Sequence, residues 1–320
     1  MRKLFFLFLF GVLACALSVS WFDNLVKSPL PIKEKIVVDM PQGAGARTLA
    51  KQLIQHKLLA HELIVKLAIK GYGFEKKLKA GEFLIEPNMS LLNILEKISS
   101  GKVVMHKITI PEGLSSYQIV KLINDNEFLV GNIDFEVAEG SVLPETYTFY
   151  KGAKKEDIIK QAQKAMKDSL QKIWDERTDN LPLKSKEELL VLASIIEKET
   201  GINSEREKVS SVFVNRLNKG MLLQTDPTVI YALTLGKTEL KRSLKRKDLQ
   251  VDSPYNTYKY AGLPPKPICN PGTEALKAAA NPIKSPYFYF VADGDGGHNF
   301  SKTLTEHNQN IQKWLKKIRK

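Results

Sequence analysis

Glu187-Glu188-Leu189-Leu190-Val191-Leu192-Ala193-Ser194-Ile195-Ile196-Glu197-Lys198-Glu199-Thr200 is the stretch on which the reading of this chain turns. Its density of Leu, Val and Ile predicts a helix, with Leu189, Leu192, Ile195 and Ile196 as its buried stripe. The next position on that stripe is Glu199, four after Ile195, three after Ile196 and seven after Leu192, so it projects toward the same interior. Glu197 rotates away from the stripe. A carboxyl at the end of an apolar stripe loses hydration, which disfavours its charged form and raises its pKa. That is what a general acid needs to be protonated near neutral pH. The alternative is a structural ion pair between Glu199 and a nearby Arg or Lys.

Working outward, Ser204 and Glu207 read as an S-x-x-E capping box opening a second helix, with Val209, Val212, Phe213 and Leu217 inward and a stop at Gly220. Asp226-Pro227 reads as an N-cap and first helical proline, and Gly236 closes that helix. Thr273 starts a short helix stopped by Asn281-Pro282. Tyr287 to Val291 reads as a strand, and Thr303 with Glu306 opens a last helix. Upstream, Lys154 to Trp174 is a basic amphipathic helix broken at Asp179-Asn180-Leu181-Pro182, where the main domain boundary is expected. Residues 183–320 are therefore expected to form a mostly helical catalytic domain.

The preceding region repeats itself. Pro41 and Pro111, Gly43 and Gly113, Leu49 and Ile119, Leu53 and Ile123, and Leu58 and Phe128 each stand 70 residues apart. Ile108-Thr109-Ile110 stands where Ile36-Val37-Val38 stood. Two copies of a strand–turn–helix unit are too few for a solenoid. Residues 36–106 are expected to form an α+β module and residues 107–182 a second module with a helical connector. Such a module resembles LysM-like carbohydrate-binding units. A spacer without a ligand is the alternative.

At the start, Met1-Arg2-Lys3 precedes the uncharged run Leu4–Phe22, whose 19 residues suit a membrane-spanning helix of ~17–25 residues. Arg2 and Lys3 should stay cytoplasmic and send the rest outward. A cleaved signal, or a lipoprotein site at Cys15, would have the same destination. Residues 23–35, with Pro29 and Pro31, read as a spacer. The excess of 48 Lys+Arg over 35 Asp+Glu, a net +13, then suits an anionic membrane or polymer better than nucleic acid, which the outward topology argues against. This also applies to the basic run Lys241–Lys247. Two cysteines form no disulfide framework or Cys-rich zinc site. The five histidines lack zinc spacing, and Asp293-Gly294-Asp295-Gly296-Gly297 is followed by Leu304 where a calcium loop places Glu. No metal or cofactor is expected, and Cys269 should be a free or buried thiol.

The motifs together resemble those of the YceG-like (MltG-type) endolytic murein transglycosylases. They are Ala193–Thr200, Ser204-Glu205-Arg206, Val212–Leu217, Leu223–Tyr231, Tyr255-Asn256-Thr257-Tyr258, Gly262-Leu263-Pro264-Pro265, Asn270-Pro271-Gly272 and Gly296–Phe300. The likeness is close from Ser185 onward and loose before it. It implies an α+β chain with a lytic-transglycosylase-like catalytic domain, anchored by one helix in the bacterial inner membrane with its bulk on the extracytoplasmic side. It implies cleavage of nascent peptidoglycan between N-acetylmuramic acid and N-acetylglucosamine, giving a 1,6-anhydro end, with peptidoglycan synthases as candidate partners. The family's catalytic glutamate falls on Glu199, acting as acid and then as base, so a second catalytic carboxylate is not obligatory. A water-using muramidase and a non-catalytic glycan-binding scaffold are the alternatives.

Substrate-binding candidates are Gln224, Thr225 and Asp226 at a loop–helix start, with plain capping as the other role for Asp226. Tyr255, Asn256 and Tyr258 suit sugar edges and faces, against a rigid turn. His298 either touches substrate or packs in its turn. Arg216 either orients Glu199, binds an anionic peptide stem, or is an ordinary surface arginine.

Overall fold

The computed structural model describes residues 2–318. Met1, Arg319 and Lys320, at the outer limits of the expected anchor and catalytic segments, lie outside the described residues. Helix α1 (Arg2–Lys27) carries side chains that stand exposed through Trp21. Its length and apolar composition are enough to cross a membrane. The helix continues past Phe22, because Asp23 accepts hydrogen bonds from Lys27 and from the Tyr72 hydroxyl, and Val26 is fully buried. Part of the expected spacer is therefore helical, and Leu30 and Ile32 within it are buried too.

The chain divides into two compact units. One comprises the described residues through His106 with Thr148–Ala153, the other Lys107–Tyr147 with Lys154 onward. In the first, β1 (Ile36–Met40), α2 (Ala46–Gln55), α3 (Glu62–Gly71), β2 (Gly81–Ile85) and α4 (Leu91–Ser100) follow α1. Strands β1 and β2 pair antiparallel from Ile36↔Ile85 to Met40↔Gly81. The strand period of two turns Val38 and Met40 inward, where they meet Leu49, Leu53, Phe83 and Ile94 in one core. Ser90 and Asn93 form a capping box on α4, and Gly101 ends it in the left-handed conformation. Helix α3 has no counterpart in the sequence reading. Glu62, Lys66 and Lys70 mark one polar edge. Its apolar residues spread over most of the rest, with Val65 and Ile69 buried and Leu63 and Leu67 exposed, which blurs its buried stripe.

Strands β3 (Met105–Thr109) and β4 (Thr146–Tyr150) form a second two-stranded sheet, and the division between units falls within both strands. Then come α5 (Ser116–Asn124), α6 (Lys155–Asp175), α7 (Lys186–Glu199), α8 (Asn203–Asn218), α9 (Asp226–Thr234), α10 (Thr273–Ala280), the antiparallel hairpin β5 (Tyr289–Ala292) and β6 (His298–Ser301), and α11 (Leu304–Ile318). The repeat is realised as β1–turn–α2 and β3–turn–α5. Gly43 and Gly113 occupy matching turns at φ +80° and +76°, a backbone that only glycine adopts without strain.

The second copy folds into the same unit as the helices that follow. Gly113 donates to the Asn270 carbonyl, and Asn270 donates back to that of Leu114. The boundary anticipated at 179–182 likewise separates no units, because Met166, Leu170 and Ile173 of α6 share a core with Leu183 and Leu189. Helix α7 is the centre of that core, with α6, α8, α9 and α10 packed around it. Leu189, Leu192, Ile195 and Ile196 are all fully buried. Two capping expectations need correction. Helix α8 starts at Asn203 with Ile202 at its N-cap, so Ser204 lies inside the first turn and caps nothing. Thr225, not Asp226, is the N-cap of α9, with Asp226 and Pro227 as its first helical residues.

Phe213 is 1% exposed and meets Phe290 edge to face at 5.8 Å. Phe213→Ala is expected to lower the unfolding free energy by about 3–5 kcal/mol, measured by urea denaturation of the full chain in detergent.

Candidate active site

Glu199 is the last residue of α7, and its Oε1 accepts a hydrogen bond from the Thr225 hydroxyl. Thr225 is buried and held from three directions. Its N–H donates to Thr257 Oγ1 at 3.1 Å, its carbonyl accepts from Thr228 Oγ1 at 2.7 Å, and the Thr228 and Thr257 hydroxyls lie 2.8 Å apart. Gln224 next to it is exposed and sits at φ +49°, donating its N–H to the Thr257 carbonyl. A non-glycine residue there stores roughly 1–3 kcal/mol, typical of segments whose geometry function requires.

Burial pushes the Glu199 carboxyl from its ordinary 4.5 up to about 7. The Thr225 hydrogen bond opposes this, the Asp226 charge adds to it, and His298 and Arg216 favour the anion from a distance. The residue remains partly accessible. A reachable carboxyl that is about half protonated at neutral pH can both give and take a proton. Ionising it also opposes folding. Its folded pKa lies above the ordinary value, so the stability it contributes is complete below 4.5 and lost as pH rises through about 7. At 1.36 kcal/mol per pH unit the full effect is about 3 kcal/mol.

Around this carboxyl stand four of the expected residues. Tyr258 donates its hydroxyl to Asp226 Oδ1 at 2.6 Å, which is the role the Asp226 side chain plays in place of capping. His298, at the start of β6, has Nδ1 2.7 Å from Glu205 Oε2, and its N–H donates to Glu205 Oε1 at 3.0 Å. Against a carboxylate Nδ1 is the donor, which leaves Nε2 as the free ring nitrogen when the imidazole is neutral. Arg216 is buried, not a surface arginine. Its Nε donates to the Phe288 carbonyl at 2.7 Å and its Nη1 to that of Leu223 at 2.7 Å. With Asn215, which donates to the Ser285 and Tyr287 carbonyls, it ties α8 to the hairpin that carries His298.

A family model described as the YceG-like family matches residues 38–313. The chain belongs to the YceG-like family. It is 33% identical over 315 residues to an endolytic murein transglycosylase of Bacillus subtilis (strain 168), covering 88% of this chain and 86% of that one. It is 28% identical over 341 residues to an endolytic murein transglycosylase of Streptococcus pneumoniae (strain D39), covering 91% of this chain but 61% of the pneumococcal one. A 2.6 Å crystal structure of a protein from Listeria monocytogenes, described as yceG-like, superposes with a TM-score of 0.53 at 38% identity. That match covers 87% of this chain and 99% of the other.

Two expected contacts of this YceG-like chain lie elsewhere. Asn256 is fully buried, its amide donating to the Leu249 and Val251 carbonyls and its oxygen accepting from the Tyr258 N–H. It builds the turn that presents Tyr258 and has no free edge for a sugar. Tyr255 packs against Tyr231 with ring centroids 4.8 Å apart, beside Glu139 and not beside Glu199. The Asp293 carboxylate accepts from the Asp295 and Gly297 N–H groups, closing its own loop. In the basic run, Arg242 pairs with Asp248.

The ion pair weighed for Glu199 exists two residues earlier. The Glu197 side chain is 5% exposed and meets Arg206 Nη2 at 3.0 Å, while its other oxygen accepts from the Gly272 N–H at 2.9 Å. A Cβ at Gly272 would fall 1.8 Å from Glu112 Oε1, so any larger residue there requires the Glu112 side chain to move. Sequence reasoning missed Thr228, Thr257, Glu205 and Arg206. All four lie inside the motifs already singled out, but only the fold shows which groups their side chains meet.

Glu199→Gln should stabilise the fold at alkaline pH, by up to about 3 kcal/mol near pH 9, and make no difference near pH 4. Thermal unfolding of both proteins across pH measures it.

Proposed function

We propose that this chain is an endolytic murein transglycosylase in which Glu199 is general acid and then general base. The observation that carries the reading is the desolvated Glu199 carboxyl, raised to about 7 and hydrogen-bonded to the Thr225 hydroxyl. The names of the relatives supply the substrate class. In the forward step Glu199 gives its proton to the glycosidic oxygen between N-acetylmuramic acid and N-acetylglucosamine, and the C1–O bond breaks. The resulting carboxylate takes the proton of the muramyl C6 hydroxyl as O6 bonds to C1. A 1,6-anhydro ring closes, Glu199 regains its proton, and no water is consumed.

In this reading Thr225 steers the carboxyl. Tyr258, Asp226, Gln224 and His298 offer hydroxyl, carboxylate, amide and imidazole groups to sugar hydroxyls and acetamides. Arg216 acts by positioning the hairpin. The LysM-like module at 36–106 would bind glycan, α1 would anchor the chain with its bulk outside the inner membrane, and peptidoglycan synthases would be its neighbours. The net charge of +13 suits the carboxylates of peptidoglycan and anionic lipid.

Purified glycan strands incubated with wild type should yield anhydro-muramyl ends by mass spectrometry, and Glu199→Gln should slow their formation by ~10²–10⁴-fold or more. Hydrated reducing ends would mark a water-using muramidase, and strand binding without shortening would mark a scaffold. The acid must be protonated at the outset, so kcat/KM should fall as pH rises above about 7. Thr225→Val removes a donor to the anion and should move that fall to higher pH. Asp226→Asn removes a neighbouring negative charge and should move it lower.

A further inference from the structure

The second unit holds a cavity of about 670 Å³ that does not include Glu199, a size typical of small-ligand sites. Tyr117, Phe135, Tyr231 and Tyr255 give it aromatic walls. Tyr117 and Phe135 are 53% and 42% exposed, and Leu235 on the same rim is 54% exposed. Leu235 caps α9 at φ +49°, a position that favours glycine or asparagine. The Ser115 hydroxyl, donating to the neighbouring Gly236 carbonyl at 2.5 Å, helps to hold it there. An apolar side chain kept in water by an unfavourable backbone is a feature that a partner would explain.

The polar groups are arranged as well. Glu139 Oε1 accepts from the Ser116 N–H and hydroxyl and from Asn270 Nδ2, at 2.8, 3.2 and 3.0 Å. Its Oε2 accepts from the Tyr231 hydroxyl at 3.3 Å, and a carboxylate oxygen can take more than one donor. Lys237, Lys266 and Glu187 also line the cavity; among the described residues neither lysine has an ion-pair partner, while the Glu187 carboxylate accepts from the Ser185 hydroxyl beside Lys186. Both signs of charge, small in number, therefore surround an aromatic and aliphatic floor.

We propose that this cavity binds the peptide stem of the glycan strand, a short zwitterionic peptide with small side chains, free carboxylates and a free amine. This rests on the peptidoglycan reading above. Stem carboxylates pair with Lys237 and Lys266, the amine meets Glu139 and Glu187, and alanyl methyls lie on Tyr255 and Leu235. Helix α9 sets the reach. Asp226 at its start pairs with Tyr258 beside Glu199, and Leu235 just past its end lines the cavity. At 1.5 Å per residue that span is about 13 Å. A stem of about four residues at ~3.3 Å each extends as far.

The test uses the full chain in nanodiscs of phosphatidylethanolamine and phosphatidylglycerol, with the tetrapeptide L-Ala–γ-D-Glu–L-Lys–D-Ala as probe. Lys237→Glu/Lys266→Glu alters exposed side chains, and an unchanged melting curve confirms its fold. Calorimetry should show the tetrapeptide bound to wild type and at least about tenfold more weakly to the double variant. The ratio of kcat/KM on stem-bearing strands to that on stem-free strands should fall by about tenfold. No binding to wild type, equal binding to the double variant, or an unchanged ratio would overturn the proposal. If wild type binds the tetrapeptide but cleaves neither kind of strand, the enzymatic reading fails while the cavity assignment stands.

Discussion

The site depends on removing water from one carboxyl. Glu199 ends a helix whose other inward residues are aliphatic and fully buried, and the loss of hydration is the largest influence on its protonation. Among the described residues, the side chain that hydrogen-bonds to it is the Thr225 hydroxyl. A hydroxyl steadies a carboxyl without supplying a charge, so it orients the group and leaves the proton near neutrality. A guanidinium in the same place would hold the group ionised. The threonine network behind Thr225, the Asn256 turn and the Arg216 tether all serve to keep that arrangement in place.

The contrast between Glu197 and Glu199 makes the point from the other side. Both are carboxyls on α7, and burial raises both. Glu197 faces Arg206 and the Gly272 amide, and together these partners satisfy both of its oxygens. It fastens α7 to α8 and to the segment before α10, with both oxygens already engaged. What distinguishes an acid from a strut here is the chemistry of the partner, not the degree of burial alone.

Much of this was legible in the order of residues. Helix periodicity placed α6 to α11 closely, and the repeat at an offset of 70 is visible as two strand–turn–helix copies with matching glycine turns. Proline and glycine act on the backbone locally, so their effects can be read locally. The errors came where long-range packing decided. The break at 179–182 looked like a domain boundary, yet α6 packs across it. Ser204 and Glu207 had capping spacing, but α8 begins two residues earlier, with Ile202 at its cap. Helix α3 was hidden because its apolar residues spread well beyond the buried stripe, onto exposed Leu63 and Leu67.

By itself the sequence determined that Glu199 would point into an apolar interior, because stripe membership follows from helical geometry alone. It also marked the loops that would surround that residue. Only the tertiary structure decided which of those loop residues face it. Tyr258 and His298 do, whereas Tyr255 turns to a separate cavity and Asn256 is consumed in its own turn. Adjacent loop residues carry no periodicity, so their directions are set by hydrogen bonds to segments tens of residues away, and those partners exist only once the chain has folded.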